Sequence, residues 1–195
     1  MNFGQILLMM FTAILVENFI FSRFYGCCPF LGVSEQPGTA LGMGMAVTFV
    51  ITLSSAATWA VYHFLLEPYH LEYLKTVAFI LVIAALVQFI EMFLRRYVPA
   101  LYSSLGIYLP LITTNCAVLS SALLNIQNGY SFMESVCFGF AAALGFTLAI
   151  VVFAGVRVRM REAEPPRSFA GFPLTLIAAG LLAMAFAGFS GVSIG

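Results

Sequence analysis

The sequence has very little charge for its length. Only 8% of its 195 residues are charged, whereas 62% are hydrophobic. A soluble domain carries roughly 25% charged residues, and a folded chain of this size still exposes much of its surface to solvent. The shortage of charge therefore excludes a soluble globular protein and predicts an integral membrane protein.

The chain also lacks net charge, because 8 basic residues balance 8 acidic ones. A neutral chain offers no overall attraction to nucleic acid, so no nucleic-acid partner is expected. The first residues contain neither the basic run nor the small-residue cleavage site of a secretory signal. The first apolar segment is therefore expected to remain in the protein as a membrane helix.

Apolar runs are abundant, and six of them are long enough to cross a bilayer, which takes about 20 helical residues. Polar or proline- and glycine-containing stretches separate them, and they cover residues 4–22, 39–66, 74–94, 104–126, 132–156 and 172–192. The sequence thus predicts an all-α, polytopic integral membrane protein. It would have six transmembrane helices in a single domain, residues 1–195.

The basic residues are concentrated on one side of this arrangement. The first, third and fifth loops hold every arginine, whereas the other side holds only Lys75. Because loops rich in Lys and Arg stay on the cytoplasmic side of a membrane, these three loops are expected to be cytoplasmic. Both termini would then lie on the outer side. The arginines are Arg23, Arg95, Arg96, Arg157, Arg159, Arg161 and Arg167.

Two cysteines lie in stretches that interrupt apolar runs. Cys28 belongs to "SRFYGCCPFLGVS" (22–34) and Cys116 to "LPLITTNCAVLSS" (109–121), and both stretches contain polar and helix-breaking residues. Irregular backbone is tolerated at membrane depth only where protein or a cavity covers it. Cys116 is therefore expected to face protein and not lipid.

These two motifs can be laid over one another by matching Cys28 to Cys116. The match divides the chain into pseudo-repeats of three spans, approximately 1–100 and 101–195, and an odd number of spans would invert the second copy. Inverted repeats with broken helices are a known way to form a functional centre at the midplane. In such a fold the two cysteines approach each other from opposite sides of the membrane.

Two thiols are too few for a metal centre of their own. An iron–sulfur cluster usually takes four cysteines, so another subunit would have to supply two more. A disulfide in a membrane thiol oxidoreductase is a second outcome, although the C-x-x-C pattern is absent. A buried cysteine can also be an inert small hydrophobe, which is the interpretation favoured for Cys137.

Four stretches together resemble the RnfA family, and the resemblance covers essentially the whole chain. They are "FYGCCPFLGVS", "AFILVIAALVQFIEM", "LGIYLPLITTNCAV" and "LIAAGLLAMAFAGFSG". RnfA is a membrane subunit of the Rnf complex, an ion-translocating ferredoxin:NAD⁺ oxidoreductase. Its sister is the NqrE subunit of the sodium-translocating NADH:quinone reductase. The proline directly after the first cysteine is closer to RnfA than to NqrE.

This resemblance implies a translocase subunit that is not catalytic alone, in a bacterial or archaeal inner membrane. It implies pairing with a homologous RnfE-like subunit, and further iron–sulfur and flavin subunits as partners. Each of the pair would supply two cysteines, here Cys28 and Cys116, to one intramembrane [2Fe–2S] cluster that relays electrons across the membrane. Electron flow would drive Na⁺ or H⁺ outward. Cys27 falls where relatives usually carry an apolar residue, so it is not the expected ligand.

Three charged residues within or beside apolar segments are candidates for an ion pathway or the environment of the cluster. Arg23 would be a counter-charge for the cluster or a marker of the cytoplasmic interface. Glu91 would lie on an ion pathway or pair with Arg95, four residues later. Glu17 would have an ion or packing role. A secondary transporter and a structural membrane scaffold with inert cysteines are the alternative functions.

Overall fold

The computed structural model describes residues 3–69, 72–97, 109–162, 166 and 171–188, and every regular element in these ranges is helical. Three helices are long: α3 (Pro37–Val61), α4 (Lys75–Tyr97) and α7 (Phe132–Glu162). Five are shorter: α1 (Phe3–Leu15), α2 (Cys27–Val33), α5 (Leu109–Thr113), α6 (Cys116–Gln127) and α8 (Phe172–Ala187). A π-helical stretch, Tyr62–Leu66, extends α3, and a 3₁₀ turn, Glu72–Leu74, precedes α4.

Three of these helices are apolar and long enough to span a bilayer by themselves, namely Pro37–Leu66, Lys75–Tyr97 and Phe132–Glu162. They coincide with the second, third and fifth predicted segments. Shorter apolar helices, Gly4–Leu15, Leu111–Gln127 and Phe172–Ala187, lie in the other three segments. The helical membrane architecture is therefore confirmed, whereas the count of six spans stays a prediction.

The antiparallel helices α3 and α7 form the central pair of the molecule. Gly44 of α3 lies against Thr147 of α7, and Gly139 of α7 lies against Ser55 of α3, so closely that a side chain at either glycine would collide. The hydrophobic effect does not drive helices together in a bilayer, because lipid tails are as apolar as the side chains. Close van der Waals packing does so instead, and small residues permit it. Within the stretch "LGMGM" (41–45) this role belongs to Gly44, because Gly42 faces open space.

Arg157 links the end of α2 to the end of α7. It donates hydrogen bonds of 2.9 Å to the carbonyl of Leu31 and 2.9 Å to the hydroxyl of Ser34. The Leu31 carbonyl is one of the unpaired carbonyls of the last turn of α2, where a cation also meets the negative end of the helix dipole. The predicted first and fifth loops therefore lie on one side of the molecule. At the opposite ends of α3 and α7, Trp59 Nε1 donates to the carbonyl of Tyr130 at 3.0 Å.

Candidate functional site

The first break, residues 16–26, separates α1 from α2 and is held by a buried asparagine. Asn18 is fully buried, and its Nδ2 donates to the carbonyls of Ile14 at 3.1 Å and Gly145 at 2.8 Å. Its Oδ1 accepts a hydrogen bond from the N–H of Ile20 at 3.0 Å. One side chain thus satisfies backbone groups that hydrocarbon could not satisfy and fastens the break to α7.

Gly26 connects the first break to α2. Its φ is +82°, in the left-handed region that glycine adopts without strain, and a Cβ there would lie only 2.7 Å from the ring of Phe146. Its N–H donates to Sγ of Cys116 at 2.9 Å, a contact across 90 residues of sequence. The two cysteine-containing stretches are therefore in contact.

The second break separates α5 from α6 at Thr114 and Asn115. Asn115 caps α6, because its Oδ1 accepts a hydrogen bond from the N–H of Ala117 at 3.0 Å. Cys116 is then the first residue of α6, so its thiol lies at the positive end of that helix. Pro110 lies in the first turn of α5, where its missing N–H costs no hydrogen bond.

The contact between the two breaks lies near the middle of α7, at Phe146. From there α2 runs toward the arginine-rich end of α7, and the rings of Phe30 and Phe153 stack with centroids 4.3 Å apart. Helix α6 runs the other way, and near its end Asn125 Nδ2 donates to the carbonyl of Ser135 at 3.4 Å. Both short helices therefore begin level with the middle of α7, a position called mid-depth below, with the cysteines in their first turns, and they end toward opposite ends of α7.

Cys28 and Cys116 are both exposed at this depth, whereas Cys27 and Cys137 are half-buried, and all four are free thiols. The thiol of Cys27 donates to the carbonyl of Phe24 at 3.0 Å. Of the four thiols, the two singled out by the family resemblance are therefore the two exposed ones.

An ion pair lies in the same break. Nη2 of Arg23 donates to Oε1 of Glu17 at 3.0 Å, and these side chains are 39% and 48% exposed. Glu17 is at mid-depth, because the adjacent Asn18 bonds to Gly145 of α7. Charged side chains are expensive in hydrocarbon. This surface must therefore be covered by protein or water when the chain is in a membrane.

The remaining candidates do not join this region into a complete metal site. Glu91 is half-buried on α4, and its expected pairing with Arg95 is not among the ion pairs formed by the described residues. In the described part of the chain, no group of three or more His, Cys, Asp or Glu side chains could hold a metal ion.

Sequence reasoning identified the two broken helices but missed how they are held. The sequence marks Asn18 and Gly26 only as interruptions of an apolar run, and Arg157 only as a charge of the fifth loop. Three sequence signals could have indicated these roles. They are an asparagine within an interrupted apolar run, a glycine immediately before a cysteine pair, and an arginine about one turn before a helix end.

These features define the class of the protein: a helical membrane protein whose two broken helices present a pair of thiols at mid-depth. A family profile described as Rnf-Nqr subunit, membrane protein, matches residues 6–193, and the chain belongs to this family. The family resemblance of the four sequence stretches is thereby confirmed.

Several curated relatives match the chain over almost its full length. It is 60% identical over 188 residues to the A subunit of the ion-translocating oxidoreductase complex of Syntrophotalea carbinolica, covering 96% of this chain and 97% of the relative. It is 57% identical over 190 residues to the A subunit of the Na⁺-translocating ferredoxin:NAD⁺ oxidoreductase complex of Acetobacterium woodii, covering 97% and 99%. The corresponding protein of Serratia proteamaculans is 53% identical over 188 residues, covering 96% and 97%.

Proposed function

We propose that this chain is the RnfA component of an ion-translocating ferredoxin:NAD⁺ oxidoreductase complex and that it relays electrons within the membrane. The names of the relatives, matched over nearly their whole length, support this assignment. The chain is then one part of a translocase. Its own contribution is the pair of thiols at mid-depth, which is the observation on which the proposal rests.

Cys28 and Cys116 would be two of the four thiolate ligands of a [2Fe–2S] cluster. The local chemistry fits such a group, because both thiols are exposed and free and the N–H of Gly26 already donates to the sulfur of Cys116. Hydrogen bonds to ligand sulfurs help to set the reduction potential of a cluster. When bound, such a cluster accepts and releases single electrons.

The other two ligands would come from a second, homologous RnfE-like membrane protein of the complex. In the described part of this chain, no three or more His, Cys, Asp or Glu side chains are grouped so that they could hold a metal ion by themselves. The exposed thiols and the Glu17–Arg23 pair at mid-depth also require a protein or aqueous cover, and a partner seated over the cysteines would supply it. Iron–sulfur and flavin subunits of the complex are the proposed electron donors and acceptors.

The proposed topology is a pair of inverted three-helix units with six spans, arginine-rich loops in the cytoplasm and both termini outside. Two features support it. Each half contains a helix, a break, a short helix with a cysteine in its first turn, a long helix and a further helix. In addition, α2 and α6 run from mid-depth to opposite sides. Glu17 and Arg23 would then influence the centre electrostatically, and Glu91 stays a candidate for an ion pathway.

The test is a visible and electron paramagnetic resonance spectrum of the purified complex. We expect a [2Fe–2S] signal that disappears in Cys28→Ser and in Cys116→Ser, because each variant removes a ligand. Cys137→Ser is the matched control, and Cys27→Ser tests whether cluster binding requires the thiol next to Cys28. Both should keep the signal.

A colourless complex with correct subunit stoichiometry would contradict the cluster and favour a transporter or a structural scaffold. Loss of the signal in Cys27→Ser with its retention in Cys28→Ser would reassign the first ligand.

A further inference from the structure

A group of buried polar residues lies between α3, α6 and α7. We call it the polar seam. Each of its side chains belongs to a residue that is at most 1% exposed. Its members are Ser54, Ser55, Thr58, Ser121, Asn125 and Ser135.

Protein partners satisfy only part of the polar seam. Oγ1 of Thr58 donates to the carbonyl of Ser54 at 2.7 Å, and the hydroxyls of Ser55 and Ser121 lie 3.4 Å apart. Oγ of Ser54, Oδ1 of Asn125 and Oγ of Ser135 have no partner within the protein. Polar atoms buried without a hydrogen bond are unfavourable, and hydrocarbon cannot supply one.

Two of these unpaired atoms belong to residues that contact each other, because Asn125 of α6 and Ser135 of α7 share a hydrogen bond. The fourth such atom in the described part of the chain, Nδ2 of Asn115, lies at the other end of α6. Unpaired polar atoms on two contacting buried residues indicate a bound polar ligand.

We propose that Oδ1 of Asn125 and Oγ of Ser135 bind an ordered water molecule in the interior of the helix bundle. The two residues are already in contact, because Asn125 Nδ2 donates to the carbonyl of Ser135. That bond orients the carboxamide and leaves Oδ1 as an acceptor. The water donates to Oδ1 and exchanges a hydrogen bond with the Ser135 hydroxyl, which gives it the two or more partners that buried water requires.

Water fits the polar seam better than a metal cation does. All six side chains are neutral, and an uncompensated charge is costly in a low-dielectric interior. The nearest carboxylate in sequence, Glu134, already accepts a hydrogen bond from the N–H of Ser131 at 3.0 Å. The water therefore connects α6, which begins with Cys116, to α7 by neutral hydrogen bonds.

The direct test is a high-resolution cryo-electron microscopy map of the intact complex, prepared once in sodium and once in potassium buffer. We expect density within hydrogen-bond distance of both Asn125 Oδ1 and Ser135 Oγ in both preparations. A map that resolves other buried waters but shows none here would overturn the proposal. Density that requires sodium would also overturn it, because the ligand would then be a cation.

A second test measures whether Ser135→Ala lowers or raises the thermal unfolding midpoint of the complex. In a hydrated site, Ser135→Ala removes a partner of the water and lowers the midpoint of thermal unfolding by roughly 2–4 °C. In a dry site, the same change removes an unpaired hydroxyl and leaves the midpoint unchanged or raises it, which would contradict the proposal. Ser120→Ala, on α6 but outside the polar seam, is the matched control and should leave the midpoint unchanged.

Discussion

At the scale of single residues, hydrogen bonds to and from the backbone determine where the Cys116 thiol lies. The N–H of Gly26 reaches the sulfur of Cys116 because the chain turns at Gly26 through a left-handed conformation pressed against Phe146. Asn18 performs the complementary task by bonding the break to Gly145. The position of the Cys116 thiol relative to the first break therefore depends on residues that carry no charge.

Gly26→Ala is expected to destabilise the protein by about 1–3 kcal/mol, because alanine is strained at a positive φ and its methyl group would collide with Phe146. The displacement should also weaken the bond to Cys116 and alter the spectrum of any bound cluster. Thermal unfolding and electron paramagnetic resonance of the purified complex measure the two effects.

Gly32→Ala is the matched control for this prediction. Gly32 lies in α2 with open space around its Cα, so alanine there should be neutral or slightly stabilising. Equal stability of the two variants would show that the turn at Gly26 does not need glycine.

At the scale of helices, α2 is too short to hold its own position. It has 7 residues, and isolated helices of that length are unstable in water because nucleation is costly. Its start is held through Gly26, its middle by Phe30 stacking on Phe153, and its end by Arg157. The orientation of Cys28 thus depends on contacts with α7 that lie more than 100 residues away in sequence.

Arg157→Ala is expected to cost about 1–3 kcal/mol of stability, because it leaves the carbonyl of Leu31 and the hydroxyl of Ser34 without their donor. Loosening of α2 should also increase the rate at which a maleimide modifies Cys28. Thermal unfolding and thiol labelling of the metal-free chain would show both changes.

Arg159→Ala provides the comparison, since the Arg159 side chain is 86% exposed and its ion pair with Glu162 is long at 3.8 Å. Surface pairs of this kind contribute little, so this variant should behave like the parent protein. If both arginine variants behaved alike, the role assigned to Arg157 would be wrong.

At the scale of the whole molecule, the packing of α3 on α7 determines where the short helices and the breaks lie. The two helices approach at Gly44 and Gly139, and the hydroxyls of Thr48 and Thr147 lie 3.1 Å apart between these points. The first break and α2 can then be held near the middle of α7, because Asn18 bonds to Gly145 and Phe30 stacks on Phe153.

Gly44→Leu should disrupt this packing and cost at least about 1–3 kcal/mol, since its side chain would overlap Thr147. We expect reduced assembly of the complex in the membrane, measured by co-purification of its subunits. Gly42→Leu, two residues earlier in the same helix with nothing near its Cα, should assemble normally. Normal assembly of Gly44→Leu would mean that the helices can move apart without consequence.

The sequence alone determined the class of the protein and much of its layout. Its apolar runs identified the helices, its arginines indicated that the first and fifth loops share a side, and interrupted runs around Cys28 and Cys116 indicated two breaks. These features are local: hydropathy, charge and helix-breaking residues act over a few residues. They can therefore be read without knowing which distant segments meet.

Only the tertiary structure decided how the breaks are joined. The bond from Gly26 to Cys116 crosses 90 residues, and the bond from Asn18 to Gly145 crosses 127. No periodicity in the sequence specifies such pairs, because they follow from how helices of fixed length pack against α7. The same packing left Glu91 without the expected partner Arg95 and buried the polar seam. It also placed the exposed thiol of Cys116 against the first break, which carries Cys28.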